Sequence, residues 1–176
     1  NGIHLYGFLR PLGIQSYYQG LTLHAVLYAL VWTTFFITGF LTFATSYSLK
    51  KEVVKPIVHT IALVVMALGL VLASIALLTN QATVLFTFYP PLKASALFYI
   101  GLTLVVVGSW GVGWGIIITW RAWRRENPTE RTPFIAFGSL ITMVLWQIAT
   151  LGIAVEMLFQ LIPWSLGLVQ GIDPQL

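Results

Sequence analysis

His24 is the side chain of this sequence best suited to chemistry inside a membrane. It lies near the start of a long apolar run from Gly20 to Gly39, in which no other side chain titrates near neutral pH or binds a transition metal well. Because an unpaired polar group is costly in hydrocarbon, His24 needs a partner. Either it hydrogen-bonds to a neighbouring helix, or it is an axial ligand of a haem iron, for which cytochromes use His or Met. The small residues Gly20 and Ala25 leave room for such a macrocycle.

The other two histidines do not complete a haem site with His24. His59 lies near the inner end of the second apolar run, whereas His24 lies near the outer end of the first. At 1.5 Å per residue across a core of about 30 Å, the imidazoles are roughly 20 Å apart, while two nitrogens on one iron are about 4 Å apart. We predict that His59 is an interfacial residue near Lys55, and His4 lies beyond Pro11 in a separate lead-in. His4 is on the same side as His24 and stays a less favoured candidate. If His24 binds haem as one of two histidines, we expect the second to come from outside these 176 residues.

Acidic and basic side chains near the membrane are weaker candidates for chemistry. Glu156 is the one acid inside an apolar run, where a carboxylate either serves a proton or ion pathway or reaches water at the nearby outer surface. Asp173 precedes Pro174 and is predicted to be a turn residue. A cluster of arginines between the third and fourth apolar runs is predicted to anchor the inner side: Arg121, Arg124, Arg125 and Arg131.

The composition places the chain in a membrane. Of the 176 residues, 58% are hydrophobic, 14% are aromatic and only 8% are charged, and the mean hydropathy is +0.88. Since about a quarter of the residues in soluble domains are charged, we predict an integral membrane protein. The net charge of +4 comes from short clusters between apolar runs, which set topology rather than bind nucleic acid. The absence of cysteine excludes disulfides, thiolate metal sites and cysteine nucleophiles.

Four apolar runs are each long enough to cross a membrane, since a helix needs about 20 residues to span a core of about 30 Å. We predict an all-α fold in which four transmembrane helices form a single membrane segment. The predicted order is an interfacial lead-in at 1–19, helices at 20–46, 56–79, 94–120 and 133–161, and an outer interfacial tail at 162–176. Glycines in the third helix leave room for a neighbouring helix or a flat cofactor.

The distribution of lysine and arginine predicts the orientation of these helices. The connections after the first and third helices contain three and four such residues, against Lys93 alone after the second helix and Arg10 alone in the lead-in. By the positive-inside rule, both ends of the segment and the Tyr89-Pro90-Pro91 loop face the outside. The chain starts at Asn1, and its first twenty residues lack the charged-then-apolar order of a signal peptide. We therefore expect that an N-terminal segment has been removed by processing or that the chain is part of a longer protein.

Four motifs together resemble subunit I of the haem-copper oxidases, most closely the B-type cytochrome c oxidases of thermophilic bacteria and archaea. They occur in the same order with helix-length spacing, and the resemblance covers essentially the whole chain. The motifs are Ser16-Tyr-Tyr-Gln-Gly-Leu-Thr-Leu-His24, Ala82-Thr-Val-Leu-Phe-Thr-Phe-Tyr-Pro-Pro-Leu-Lys93, Phe98-Tyr-Ile-Gly101 and Leu161-Ile-Pro-Trp-Ser-Leu-Gly-Leu-Val-Gln-Gly-Ile-Asp-Pro174.

The resemblance implies that this chain is the second-to-fifth-helix portion of a subunit with twelve or more membrane helices. It makes His24 one of two axial ligands of the low-spin haem, of b or a type, which receives electrons from a copper centre in subunit II. Tyr28, one turn after this ligand, and Tyr89 in the outer loop would lie near the same haem. The second to fourth helices of the chain would border the apolar route by which dioxygen enters from the bilayer.

The chain also departs from the family pattern. Tyr28 stands where relatives have a smaller polar residue, and Ala94-Ser95-Ala96 replaces a histidine-containing stretch. The sequence stops before the family's next helix, which brings the first copper ligand and the tyrosine cross-linked to it. With three histidines in total, these residues cannot build a dioxygen-reducing centre, so its copper and second haem need ligands from elsewhere.

The sequence therefore favours part of the catalytic subunit of a terminal respiratory oxidase in a prokaryotic plasma membrane. The complete enzyme would oxidise cytochrome c or a quinol, reduce dioxygen to water and translocate protons. The expected partners are the remainder of subunit I, as a separate chain or a missing portion, together with subunit II, the electron donor and the lipid bilayer. Two alternatives stay open, namely a small electron-carrying membrane cytochrome and a haem-free structural or assembly remnant of an oxidase.

Overall fold

The fold consists of four long helices in the part of the chain that the structure describes. The computed structural model describes residues 17–82 and 94–171. Within these ranges the helices are α1 (Tyr17–Leu49), α2 (Pro56–Leu78), α3 (Ala96–Glu126) and α4 (Phe134–Ser165), each long and apolar enough to cross a membrane. No strand occurs in the described ranges, where Ala82 and Ala94 form only an isolated antiparallel bridge. The predicted all-α, four-span fold is confirmed.

Two of the helices contain π-helical segments, in which each amide bonds to a carbonyl five residues back. Val26–Trp32 is π-helical within α1, and Met157–Leu161 is π-helical within α4. α4 continues through Pro163 to Ser165, whereas the sequence predicted an end at 161. Pro163 is the second residue after the π segment, within the helical segment Ile162–Ser165.

The connection between α1 and α2 is short and fixed to α3. Lys50 and Lys55, at its two ends, have positive φ values of 48° and 56°, which reverse the chain direction within a few residues. The backbone amide of Val54 donates to Thr119 Oγ1 at 3.1 Å. The Lys51 ammonium lies 2.7 Å from the Glu126 carboxylate at the end of α3. These contacts hold the ends of α1, α2 and α3 together on one side of the bundle.

Small residues bring α2 and α3 into backbone contact along most of their length. A Cβ atom at Gly101 would lie 2.6 Å from the Ala73 amide nitrogen and 2.7 Å from the Gly69 carbonyl oxygen. A Cβ atom at Gly108 would lie 2.9 Å from the Ala62 carbonyl oxygen. We call this contact the glycine seam. The sequence allowed these glycines to make room for either a neighbouring helix or a flat cofactor. In the structure they make room for the neighbouring helix.

Polar side chains join α3 to α4 at the middle of both helices. The Trp110 indole donates to Thr150 Oγ1 at 2.7 Å, and the Trp146 indole donates to Ser109 Oγ at 2.9 Å. The Gln147 amide donates to the Trp110 carbonyl oxygen at 3.3 Å. Because water is absent from the hydrocarbon core, such bonds satisfy polar groups that would otherwise be costly. They fix the rotation of α4 against α3.

Candidate functional site

The His24 side chain is exposed in the N-terminal third of α1. It is the penultimate residue of the first α-helical segment, Tyr17–Ala25, and the π segment begins two residues later. The ring of Tyr28 lies against the imidazole, with ring centroids 4.7 Å apart and planes inclined by 38°. In the described ranges no group hydrogen-bonds to the His24 imidazole, so the four-helix bundle leaves its ring nitrogens available to a ligand.

The π segment keeps His24, Tyr28 and Trp32 on one face of α1. In an α-helix a step of four residues turns about 40° past a full revolution, so residues at this spacing drift around the helix. A π-helical turn contains more residues, so a step of four residues falls short of a full revolution. It therefore compensates for the rotation that accumulates in the α-helical part. Val26 and Val31, in the same segment, point to the opposite side and are buried in the core. The helix thus presents the imidazole away from the bundle while its valines pack inward.

Gln19 fastens the N-terminal end of α1 to the C-terminal end of α2. Its side chain is 1% exposed, and its amide nitrogen donates to the carbonyl oxygens of Leu77 and Leu78 at 2.7 and 3.3 Å. These carbonyls lie in the last turn of α2, where a helix lacks internal donors for them. Sequence reasoning missed this role, although an amide five residues before His24 in an apolar context was a signal. Because Gln19 precedes His24 by only five residues, this anchor also restrains the direction in which the His24 side chain projects.

His59 and the methionines do not approach the His24 face. His59 lies in the first turn of α2, which follows the C-terminal end of α1. About 37 Å of helix separates that end of α1 from His24. Its ring packs over Gly115 of α3, and both ring nitrogens are buried without a hydrogen-bond partner in the described ranges. His59 therefore packs against α3 in the first turn of α2, and its predicted place at the membrane surface near Lys55 stays a prediction. The three methionines of the sequence, which could also ligate haem, are each buried in the core: Met66, Met143 and Met157.

The remaining candidates are dispersed or lie outside the described ranges. Glu156 is partly buried and occupies the last α-helical position of α4 before its π segment. No group of three or more His, Cys, Asp or Glu residues that could hold a metal ion occurs in residues 17–82 and 94–171. Tyr89, His4 and Asp173 lie outside these ranges. His24 with the adjacent Tyr28 is the part of the described chain that presents a haem-ligating group on an unpartnered face.

This arrangement fits one axial position of a haem. A neutral imidazole coordinates iron through one nitrogen and needs free space on that side for the macrocycle. The exposed His24 ring provides the nitrogen and the open face, while the buried Met66, Met143 and Met157 cannot provide the second ligand from within the bundle.

Comparisons with known proteins agree on one family. Residues 3–176 match the family model described as "Cytochrome C and Quinol oxidase polypeptide I". Cytochrome c oxidase subunit 1 of Thermus thermophilus is 39% identical over 163 residues, which are 92% of this chain and 28% of that protein. A cryo-EM structure of a heme-copper terminal oxidase dimer contains a chain that is 47% identical, with a TM-score of 0.82, covering 88% of this chain and 26% of that one. The chain thus spans little more than a quarter of the length of these relatives.

Proposed function

The chain belongs to the cytochrome c and quinol oxidase polypeptide I family, and from this premise we infer that His24 is an axial ligand of a low-spin haem in a terminal oxidase. The observation that carries this proposal is the exposed His24 imidazole, free of hydrogen bonds in the described ranges, on a face of α1 that no other described helix covers. Such a polar ring is costly against lipid, whereas iron coordination satisfies it.

The residues around His24 position it for this role. Gln19 fixes the outer end of α1 through the Leu77 and Leu78 carbonyls, and Tyr28 limits rotation of the imidazole by ring contact. The π segment then holds the ring on the outward face. A haem bound here would accept and pass on single electrons. The protein contributes one nitrogen ligand, a fixed ring orientation and an aromatic wall.

The complete enzyme would need ligands that this chain does not contain. With three histidines in the sequence, the second axial ligand, the second haem and the copper must be held by other parts of subunit I. In this proposal the whole B-type oxidase takes electrons from cytochrome c or a quinol through subunit II, reduces dioxygen to water and translocates protons. The four helices are its second to fifth, in a prokaryotic plasma membrane, with both ends of the segment and Tyr89 on the outer side.

The alternative functions are less well supported. A small cytochrome that carries electrons by itself requires two ligands at one depth, but His24 and His59 lie toward opposite ends of the bundle. A haem-free structural remnant would leave His24 exposed to lipid without a partner, which is costly. We therefore retain the oxidase proposal.

The test is the dithionite-reduced minus oxidised optical spectrum of the purified complex that contains this chain. We expect His24→Ala to abolish the low-spin haem band, because the variant removes the only described histidine on that face. His59→Gln is the matched control and should retain the band. Since His24 is exposed, its truncation leaves the helix core intact, which circular dichroism would verify. A low-spin band that persists in His24→Ala contradicts the proposal.

A further inference from the structure

An open groove lies on the surface of the bundle between α3 and α4. Trp110 and Trp114 of α3 form one wall, and its volume is about 260 Å³. No other helix of the described ranges lines it, so the groove opens toward the surroundings of the bundle. The other wall is formed by four residues of α4: Val144, Gln147, Ile148 and Leu151.

Polar groups beside the groove are already hydrogen-bonded within the protein. The Trp110 indole donates to Thr150 Oγ1, and the Gln147 amide donates to the Trp110 carbonyl oxygen. Indole rings and the aliphatic side chains of α4 therefore form most of the surface of the groove. A hydrocarbon chain fits such a surface, whereas a charged or strongly polar group would find few partners there.

Two arginines lie on the same face of α3 as the groove. Arg121 and Arg125 follow Trp114 by seven and eleven residues, which correspond to about two and three helical turns. Both are exposed, and within residues 17–82 and 94–171 neither side chain has an ion pair or a hydrogen bond. Arg124 differs from them, because its guanidinium donates to the Glu130 carbonyl oxygen. Arg121 and Arg125 are therefore available to an anion.

The distance from the groove to these arginines matches the depth of one membrane leaflet. Trp110 and Arg121 are 11 residues apart, or about 16 Å along the helix. Half of a hydrocarbon core of about 30 Å is about 15 Å. An acyl chain whose head group lies at Arg121 therefore reaches into the groove. In the orientation that the charges predict, this end of α3 faces the inner leaflet, whose anionic lipids attract basic residues.

We propose that an anionic phospholipid binds here, with its phosphate group on Arg121 and Arg125 and one acyl chain in the groove between α3 and α4. A guanidinium donates to two phosphate oxygens at once, so the two arginines fix the head group. The neighbouring Glu126 carboxylate does not compete for them, because it is paired with Lys51 at 2.7 Å. The site does not involve His24, so it is independent of the proposed haem.

Photolabelling of the purified complex that contains this chain tests the site. The complex is placed in phosphatidylcholine nanodiscs with a trace of phosphatidylglycerol that carries a diazirine near the end of one acyl chain. A parallel sample contains phosphatidylcholine with the same labelled chain. After irradiation, labelled residues are mapped by mass spectrometry. We expect phosphatidylglycerol to label the groove several-fold more than phosphatidylcholine does, because its net negative charge is attracted to the two arginines.

Removal of the two charges tests the head-group part of the site. The double variant Arg121→Gln with Arg125→Gln should lower groove labelling by phosphatidylglycerol to the level of phosphatidylcholine. The matched control is Lys50→Gln with Lys55→Gln, which also removes two exposed cations but from the connection between α1 and α2. Because neither lysine lines the groove, the control should be labelled like the parent complex.

Filling of the groove tests the acyl-chain part of the site. Ile148→Trp should lower labelling by phosphatidylglycerol several-fold, because the larger ring occupies the space while both arginines remain. Leu145→Trp is the matched control, since Leu145 lies on the same helix outside the groove and is similarly exposed, at 60% against 64%. Both side chains are exposed in the bundle, so neither replacement disturbs the core.

Three results would overturn the proposal. Equal labelling of the groove by the two lipids would show an ordinary contact with the surrounding bilayer. A groove that neither lipid labels would be covered by protein, either another part of the complex or a second copy of this chain. Labelling by phosphatidylglycerol that persists at the parent level in the arginine variant would show that these arginines do not hold the head group.

Discussion

The glycine seam between α2 and α3 and a row of exposed rings on α1 are opposite solutions to packing in a membrane. We call this row the aromatic face, and its residues are Trp32, Phe36, Phe40, Phe43 and Tyr47. At the seam, Gly69, Gly101 and Gly108 have no side chains, and the backbones of two helices touch. On the aromatic face, the side chains are large, and neighbouring rings stack with centroids 5.8 to 5.9 Å apart. Apolar side chains gain little by leaving lipid for protein, so helix association in membranes depends on close fit. At the seam the two helices cover each other, whereas the rings of the aromatic face are exposed in the bundle.

The comparison also explains where chemistry is possible. Residues beside the seam are committed to packing, as His59 is against Gly115. His24 lies in line with the aromatic face, where no described helix competes for its ring. The histidine that we propose as a haem ligand therefore lies on an exposed surface of the bundle rather than in the core.

The largest expected effect comes from adding one carbon to the seam. Gly101→Ala places a Cβ atom 2.6 Å from the Ala73 amide nitrogen and 2.7 Å from the Gly69 carbonyl oxygen, and neither backbone atom can move without shifting a helix. We expect a loss of about 3 kcal/mol or more in the free energy of unfolding. The apparent melting temperature of the purified complex would measure it.

Gly39→Ala is the matched control for that substitution. Gly39 is also helical, in α1, but a Cβ atom there would meet nothing within 4 Å. Because alanine favours helix over glycine by up to about 1 kcal/mol, this variant should be unchanged or slightly more stable. Equal destabilisation by the two variants would show that the seam is not the tight contact described here.

A smaller effect is expected where α3 and α4 are joined by hydrogen bonds rather than by backbone contact. Trp146→Phe removes the indole donor to Ser109 Oγ, and Ser109 keeps its own bond to the Val106 carbonyl oxygen. We expect a cost of about 1 kcal/mol, measured by the same melting temperature. Trp114→Phe is the control, since the Trp114 indole has no hydrogen-bond partner in the described ranges. An equal cost for both would assign the effect to ring size instead.

The smallest effect is expected at the surface ion pair that joins the connection after α1 to the C-terminal end of α3. The Lys51 and Glu126 side chains are 22% and 62% exposed, so water and salt screen their attraction. Lys51→Gln should cost at most about 1 kcal/mol. Repeating the measurement in high salt should remove most of the difference. A large, salt-independent loss would mean that Lys51 acts through packing of its aliphatic stem.

The sequence predicted the four spans well because long apolar runs have few alternatives in a membrane. It also identified His24 as the candidate ligand and excluded His59 as its partner, since depth along a helix follows from counting residues. It did not predict that α4 continues past Pro163 to Ser165, or that both α1 and α4 contain π segments. A change from α-helical to π-helical hydrogen bonding depends on which side chains can pack against the neighbouring helices.

Other features depended on partners that are distant in sequence. Gln19 is buried because the end of α2 offers carbonyl oxygens 58 and 59 residues away. His59 is enclosed because Gly115 of α3 leaves space for its ring. The sequence could not tell whether the glycines of α3 make room for a neighbouring helix or for a cofactor. The positions of Ala73 and Gly69 in α2 show that Gly101 makes room for a helix.

By itself, the sequence determined that this chain crosses a membrane four times and that one imidazole lies near one end of the first span. Hydrophobic length and charge position suffice for those conclusions, since both are properties of single segments. The tertiary structure decided which faces are complete: the small residues of α2 and α3 meet, while His24 and the rings of α1 project from the bundle. That distinction depends on which surfaces of separate helices come together, and no single segment contains it.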